Sequence, residues 1–230
     1  LLDQWKDMLL KINMDGQIAG ILHTRNNSLA DAVIDEGTEI LYGRNYIIEN
    51  CLGLSFKVTP FSFFQTNSKG AEALYTKVRE YVGDTTGKTV YDLYCGTGTI
   101  GMIASKEASK VIGVEIVKEA VEMADENRKL NGIENARFIA GDVKDVIRDL
   151  KESPDTIILD PPRDGVHPSC IGDVLAFNAK EIVYVSCNPK SLARDLSVLT
   201  GNGYELQKIR CMDMFPHTHH VETVCKLTKK

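Results

Sequence analysis

The sequence predicts an α/β protein built on a mostly parallel sheet with helices on both faces. From residue 88 onward, short runs rich in β-branched and aromatic residues alternate with helical stretches, which is the pattern of a parallel sheet. A glycine-rich loop follows the first of these runs, as expected for a ligand-binding α/β domain. The last two runs follow each other without a helix between them and predict an antiparallel edge.

The composition is that of a soluble globular protein, with 43% hydrophobic and 26% charged residues. No apolar run approaches the roughly 18 residues of a membrane span, and the first residues are amphipathic rather than signal-like, so we expect a cytoplasmic protein. The net charge of -5 argues weakly against binding to nucleic acid. The chain begins at Leu1 within a helical pattern, which predicts that it is a fragment and weakens that objection.

Residues 1–66 are predicted to form part of a small α+β module and its linker. A short helix is followed by closely spaced strand-like runs with turn residues between them, namely QIAGILHT, EILYG, YIIEN and LSFKVTP. The segment PFSFFQTN and a helix predicted over residues 68–81 join this module to the α/β domain. We place that domain at residues 67–230.

The first two strands of the α/β domain, KTVYDLYC and KVIGVEIV, end in residues that suit a nucleoside-containing cofactor. Gly96 opens the string G-x-G-x-x-G, in which glycines permit tight turns and close approach of a ligand. Glu115 can accept hydrogen bonds from both hydroxyls of a ribose. An NAD-type dinucleotide and S-adenosylmethionine both fit these residues, but Asp92 before the loop suits an ammonium group and favours S-adenosylmethionine.

The third strand, ARFIAGD, ends at Asp142, where an adenine amino group would lie. Capping of the following helix is an equally expected role for this carboxylate. The helix before the third strand carries apolar residues at helical spacing from Val117 to Ala124, and the stop signal Asn131-Gly132 ends it.

The fourth and fifth strands, DTIILD and EIVYVSC, lead into two unusual corners. In DPPRDG, two prolines make a rigid elbow that fixes Asp160 and Arg163 and can frame a flat base. Cys187 lies at the second corner, with Asn188 as the predicted N-cap and Pro189 at the first position of a helix that continues through residues 192–199. We expect the helix dipole to lower the pKa of this thiol and make it reactive.

The other candidate ligands give no sign of a metal or cluster site. The six cysteines are scattered without a C-x-x-C pair, so free thiols are expected. The run HTHH at residues 217–220 could suggest zinc, but it lacks partner cysteines at ligand spacing. A structural or substrate-side role is favoured for it, and no metal is predicted.

Four motifs occur in a distinctive order, namely DLYCGTGTIG, DPPRDG, VSCNP and DMFPHTHHVETV. Their order and approximate spacing resemble those of the RNA uracil-C5 methyltransferases, the bacterial family that makes 5-methyluridine in ribosomal and transfer RNA. The resemblance covers essentially the whole chain, with FSFFQTN matching the segment between modules, and implies a Rossmann-like S-adenosylmethionine-dependent methyltransferase domain. IVYVSCNPKSLARDL and DMFPHT look closer to the 23S ribosomal RNA branch. The family's amino-terminal RNA-binding domain and the iron–sulfur cysteines of some members are absent here.

The resemblance also implies roles for single residues. Five positions match those around S-adenosylmethionine in the family, namely Gln65, Tyr94, Thr99, Glu115 and Asp160, although Thr99 departs from the asparagine often found there. Cys187 matches the nucleophile that adds to carbon 6 of uracil, and Glu222 matches the base that removes the proton from carbon 5. Arg163 is expected on the substrate side.

Several other functions share part of these features. A transfer-RNA uridine methyltransferase is the nearest alternative. An amino-group methyltransferase would share the Asp-Pro-Pro turn but need neither Cys187 nor Glu222, and an NAD-dependent oxidoreductase would leave DPPR and SCNP unexplained. A non-catalytic RNA-binding module should tolerate alanine at Cys187. RNA is the expected partner, and neither a membrane nor a protein partner is inferred.

Overall fold

The computed structural model describes residues 1–28, 35–104 and 106–230. These residues form two compact units, one of Leu1–Glu49 with Lys57–Phe61 and the other of Asn50–Phe56 with Ser62–Lys230. The domain division at residue 66 stays a prediction, and residues 29–34 of the predicted module lie outside the described residues. In the described part of the chain, no helix is long and apolar enough to cross a membrane.

The elements that precede the α/β domain are short, and the last two strands among them are divided between the two units. Helix α1 (Leu2–Leu9) is followed by strands β1 (Gly20–Thr24) and β2 (Thr38–Gly43), which pair antiparallel. Strands β3 (Ile47–Cys51) and β4 (Leu54–Val58) form a second two-stranded sheet. The four strand-like runs of the sequence are therefore confirmed as strands.

The second unit alternates strands and helices as the sequence predicts. Its elements are α2 (Ser68–Val82), β5 (Thr89–Leu93), α3 (Thr99–Ala104), β6 (Lys110–Glu115), α4 (Lys118–Leu130), β7 (Ala136–Ala140), α5 (Val143–Asp149), β8 (Thr156–Leu159), α6 (Pro168–Ala176), β9 (Glu181–Ser186), α7 (Pro189–Gly201), β10 (Tyr204–Met212) and β11 (Glu222–Lys229). The seven strands form one sheet in the order β10-β11-β9-β8-β5-β6-β7. Strands β5 to β9 are parallel, and β10 and β11 form the predicted antiparallel edge.

The central strands are buried on both faces, which explains why they are apolar along most of their length. In β8 every residue is buried, and in β9 all but the first are. Side chains of β5 alternate between the two faces, so that Val90 joins one hydrophobic cluster while Tyr91 and Leu93 join the other. By the same alternation Asp92 lies on the Val90 face, the only carboxylate within β5.

The strand order reverses between β5 and β8, because β6 and β7 extend the sheet to one side and β8 and β9 to the other. Ligands of such sheets bind at the carboxyl ends of the strands at this switch point. The glycine-rich loop after β5 and the DPPRDG loop after β8 therefore flank the same crevice. This confirms the Rossmann-like α/β architecture expected from the sequence.

Candidate active site

Asp92 is a fully buried carboxylate near the end of β5, with 0% of its surface exposed. Its Oδ2 accepts the backbone N–H of Gly101 at 2.8 Å, whereas the buried Oδ1 has no partner among the described residues. Burial raises the pKa of Asp92 to about 7, with the Gly101 N–H opposing the rise and Glu115 adding to it. A buried acceptor without a partner costs about 1–3 kcal/mol, so this site fits a ligand that brings a donor.

The three glycines of the loop have different reasons to be glycine. A Cβ on Gly101 would lie 2.6 Å from Oδ2 of Asp92, and a Cβ on Gly98 would lie 2.6 Å from the ring of Phe138. Gly96 has a φ of +52° and no described neighbour within 4 Å of an added Cβ. Gly98 and Gly101 therefore permit close packing, while the backbone at Gly96 is open to a ligand.

Glu115 ends β6 with its carboxylate held in place by backbone donors. Oε2 accepts the N–H of Gly96 at 3.0 Å, and Oε1 accepts the N–H of Val117 at 3.0 Å. Each carboxylate oxygen has a second lone pair, so both can still accept a hydrogen bond from a ribose hydroxyl. The Glu115 carboxylate is thus held in one orientation, and each of its oxygens keeps a lone pair for a further hydrogen bond.

Two further predicted cofactor residues follow β5. Tyr94 has a φ of +66°, a backbone conformation uncommon outside glycine, and its hydroxyl donates to Sγ of Cys170 at 3.9 Å. Thr99 is buried at the start of α3, with its hydroxyl 3.1 Å from that of Thr97. In the sequence, Tyr94 therefore precedes Gly96 and Gly98, and Thr99 follows them.

Asp142 and Gln65 are less directly tied to a ligand. Asp142 caps α5, accepting the N–H of Lys144 at 3.1 Å and pairing with its ammonium group at 3.0 Å. The capping role weighed from the sequence is therefore present, and an adenine contact would be additional. Gln65 is half-buried in the segment before α2. Two residues later, Asn67 caps α2 and donates to the carbonyl of Met214 at 2.9 Å, tying FSFFQTN to DMFPHT.

Cys187 and Glu222 come together because β9 and β11 are antiparallel neighbours. Thr223 pairs with Ser186, so the next pair of positions at this end of the ladder is Glu222 and Cys187. Residues directly opposite each other have Cβ atoms about 4.5–5.5 Å apart and project from the same face. Glu222 is buried and Cys187 is half-buried. The predicted base and nucleophile thus occupy one corner of the sheet.

The protein groups around Cys187 raise the pKa of its thiol, through burial first and then through the charges of Glu222 and Asp160, whereas Arg163 lowers it. The prediction that the α7 dipole lowers this pKa is therefore wrong for the chain by itself, because burial and two carboxylates from other elements outweigh the dipole. Burial also raises the pKa of Glu222, against the effect of Arg163. Burial, Glu222 and Asp92 raise the pKa of Asp160 well above its usual range.

Arg163 joins the DPPRDG loop to two other segments. Its carbonyl accepts hydrogen bonds from Nδ2 of Asn188 at 2.8 Å and from the hydroxyl of Ser191 at 2.9 Å, both at the start of α7. Its Nη2 lies 2.8 Å from Nδ1 of His220, in the connection between β10 and β11. The elbow is therefore held to the corner that carries Cys187.

An ion pair on α7 between the buried Asp195 and the exposed Arg194, which the sequence did not predict, also holds this loop. Oδ2 of Asp195 accepts the N–H of Val166 at 2.8 Å and the hydroxyl of Tyr184 at 2.6 Å. Arg194 pairs with Asp195 and donates to the carbonyl of Asp164 at 2.7 Å. The signal was an aspartate on the buried face of the helix after VSCNP, where a charge needs a partner.

The HTHH run lies in the connection between β10 and β11. In the part of the chain that the structure describes, no group of three or more histidine, cysteine, aspartate or glutamate side chains could hold a metal ion. The rings of His219 and His220 are tilted by 44° to each other with their centroids 4.2 Å apart, and His220 contacts Arg163. All six cysteines are free thiols.

Known proteins similar to this chain are RNA methyltransferases. An uncharacterized RNA methyltransferase of Clostridium tetani is 58% identical over 229 residues, covering 100% of this chain and 50% of that protein. One of Clostridium acetobutylicum shows the same identity and coverage. The crystal structure of the Pyrococcus abyssi tRNA (uracil-54, C5)-methyltransferase in complex with S-adenosyl-L-homocysteine is 36% identical with a TM-score of 0.80, covering 93% of this chain and 52% of that one.

The chain spans about half the length of the curated relatives it matches. A family model described as tRNA (Uracil-5-)-methyltransferase matches residues 33–230, which include the whole of the seven-stranded sheet and both loops at its switch point. The chain belongs to the tRNA (uracil-5-)-methyltransferase family.

Proposed function

We propose that this chain carries the catalytic machinery that transfers a methyl group from S-adenosylmethionine to carbon 5 of a uridine in RNA. The observation that supports the proposal is the register of β9 and β11, in which Thr223 pairs with Ser186, so that Glu222 and Cys187 follow directly at the same end of the ladder. A thiol and a carboxylate at one corner are the two groups that covalent methylation of a weakly nucleophilic carbon requires. We place this activity in the cytoplasm.

The residues at the switch point fit S-adenosylmethionine. The partnerless Oδ1 of Asp92 suits the ammonium group, and the oriented carboxylate of Glu115 suits the ribose. The open backbone at Gly96 allows close approach. When bound, S-adenosylmethionine supplies an electrophilic methyl group. The remaining residues proposed to line its site are Gln65, Tyr94, Thr99, Asp142 and Asp160.

In the proposed reaction, the sulfur of Cys187 forms a bond to carbon 6 of uracil, and the electron pair of the carbon 5–carbon 6 double bond moves onto carbon 5 and the neighbouring carbonyl oxygen. Carbon 5 would use this pair to form a bond to the methyl group, and the bond from that methyl group to the sulfur of the donor would break, leaving a neutral thioether. Glu222 then takes the proton from carbon 5, the double bond re-forms, and the Cys187 thiolate leaves. Arg163, which lowers the pKa of both residues, stabilises the negative charge that develops between them.

The target uridine must leave its base stack to reach this corner, because Glu222 is buried within the protein. We propose ribosomal RNA as the substrate, on the similarity of IVYVSCNPKSLARDL and DMFPHT to the 23S branch. Transfer RNA is the second candidate. It is supported by the 36% identity over 93% of the chain to the Pyrococcus abyssi transfer-RNA enzyme.

The proposal is tested by mass mapping of methylated nucleosides in ribosomal and transfer RNA from cells with and without the encoding gene. We expect 5-methyluridine to disappear at one or more sites and to return with the wild-type gene but not with a Cys187→Ala variant. Loss of an N-methylated nucleoside instead, restored equally by Cys187→Ala, would support an amino-group methyltransferase. The RNA class that loses 5-methyluridine decides between the two substrates.

A further inference from the structure

Arg163 is the cation that acts on both reacting side chains, since it lowers the pKa of Cys187 and of Glu222. Its carbonyl is fixed by Asn188 and Ser191, but these bonds hold the backbone only. The exposed arginine side chain has many accessible rotamers, so the direction of the guanidinium needs a separate anchor. His220 supplies a contact to it at 2.8 Å.

The chemistry of this contact defines the state of His220. A guanidinium only donates hydrogen bonds, so Nδ1 of His220 must be the acceptor and the ring proton lies on Nε2. The pKa of His220 is lowered by burial, by His219 and by Arg163, which favours the same neutral form. The ring is therefore set to accept from Arg163.

Hydrogen bonds fix the backbone of His220 just before Glu222. The N–H of His220 donates to the hydroxyl of Thr218 at 3.2 Å, and that hydroxyl donates to the carbonyl of Phe215 at 2.7 Å. His220 lies two residues before Glu222, the first residue of β11. The connection between β10 and β11 thus delivers the general base together with an acceptor for the arginine.

We propose that His220 is a positioning residue that holds the guanidinium of Arg163 beside Cys187 and Glu222 and thereby favours the thiolate. This deepens the proposed function and rests on it for its catalytic meaning. Without the acceptor, the exposed guanidinium turns toward water, and its effect on the thiol falls with distance and solvent screening.

The test measures the rate of alkylation of Cys187 by iodoacetamide against pH, followed by mass spectrometry of the peptide that contains it. His220→Ala should move the midpoint to higher pH, so that the rate below the midpoint falls severalfold, as should Arg163→Gln. The two substitutions together should shift the midpoint no further than either alone, because both remove the same interaction. His220→Asn should retain the wild-type midpoint, since its amide oxygen can accept from Arg163.

His219→Phe is the matched control, because it keeps an aromatic ring beside His220 and leaves the Arg163 contact in place. Thermal melting identifies unfolded variants, and if His220→Ala does not fold, the comparison of His220→Asn with His220→Leu replaces it. An unchanged midpoint in the folded variant that lacks the acceptor, or a His220→Asn midpoint equal to that of the acceptor-free variant, overturns the proposal.

The alkylation assay needs neither RNA nor cofactor, so it tests the positioning role of His220 separately from the proposed methyltransferase function. If the full-length protein makes no 5-methyluridine but the midpoint pH of Cys187 alkylation shifts as expected, the proposed function fails and the positioning role stands. If 5-methyluridine forms with equal kcat in wild type and His220→Ala, the positioning role fails and the function stands.

Discussion

Replacing Glu222 with glutamine is expected to make Cys187 more reactive while abolishing turnover. The carboxylate raises the pKa of the thiol, so its removal should favour the thiolate. With the two side chains opposite each other, unit charges about 5 Å apart interact by about 0.8 kcal/mol in water and about 3 kcal/mol at an effective dielectric constant of 20. Because Cys187 is half-buried, we expect about 1–2 kcal/mol, a rise of about 5- to 30-fold in thiolate.

The assay is the alkylation rate of Cys187 at pH 8, where most of the thiol is still protonated because its pKa is raised from the usual value. Glu205→Gln, on the exposed strand β10, is the control and should leave the rate unchanged. Turnover should be lost in Glu222→Gln because an amide cannot take the proton from carbon 5. A rate equal to or below that of the wild type would show that Glu222 does not face the thiol, and the register argument would fail.

Three further predictions concern the cofactor end of the crevice. Glu115→Ala should weaken binding of S-adenosyl-L-homocysteine by about 1.5–3 kcal/mol in calorimetry, and equal affinity would remove the ribose assignment. Asp92, with a pKa of about 7, keeps a proton between about pH 4 and 7 that the unfolded chain has lost, so the free energy of unfolding should fall as pH rises through this window. Urea titrations should show that Asp92→Asn flattens this slope, and an identical slope contradicts the assignment. Gly101→Ala should destabilise the fold by about 1–3 kcal/mol, because the added Cβ clashes with Asp92. Gly172→Ala is the control and should not destabilise the fold, since an added Cβ there has no described neighbour within 4 Å. Equal melting temperatures in the two variants would refute this prediction.

The order of strands and the position of the crevice could be predicted from the sequence, because both follow from local alternation and from a general rule about parallel sheets. Asn188 and Pro189 likewise act as the predicted cap and first turn of α7, since capping depends on a few adjacent residues. The helix predicted from Pro189 through residue 199 begins at the proline and ends two residues later than predicted, at Gly201.

The ionisation of Cys187 could not be predicted in this way. The helix dipole comes from the residues directly after the cysteine, whereas Glu222 arrives through β11 and Asp160 through β8. The hydrogen bonds of Asp195 and Arg194 with the backbone were missed for a similar reason, because Val166 and Asp164 lie in the loop after β8. Interactions between elements distant in sequence set the charges of this site, and local patterns carry no information about them.

The assignment of Cys187 as nucleophile and Glu222 as base is tested most directly on a denaturing gel. The full-length protein is first incubated with RNA and with S-adenosylmethionine labelled in its methyl group. If Cys187 attacks first and Glu222 acts only after methyl transfer, Glu222→Gln should give a labelled protein–RNA band that persists, because the methylated adduct cannot lose its proton. Cys187→Ala should give no band and no methylated uridine. Methylation of uridine by Cys187→Ala, without any covalent band in the wild type or in Glu222→Gln, would contradict the assignment of the nucleophile.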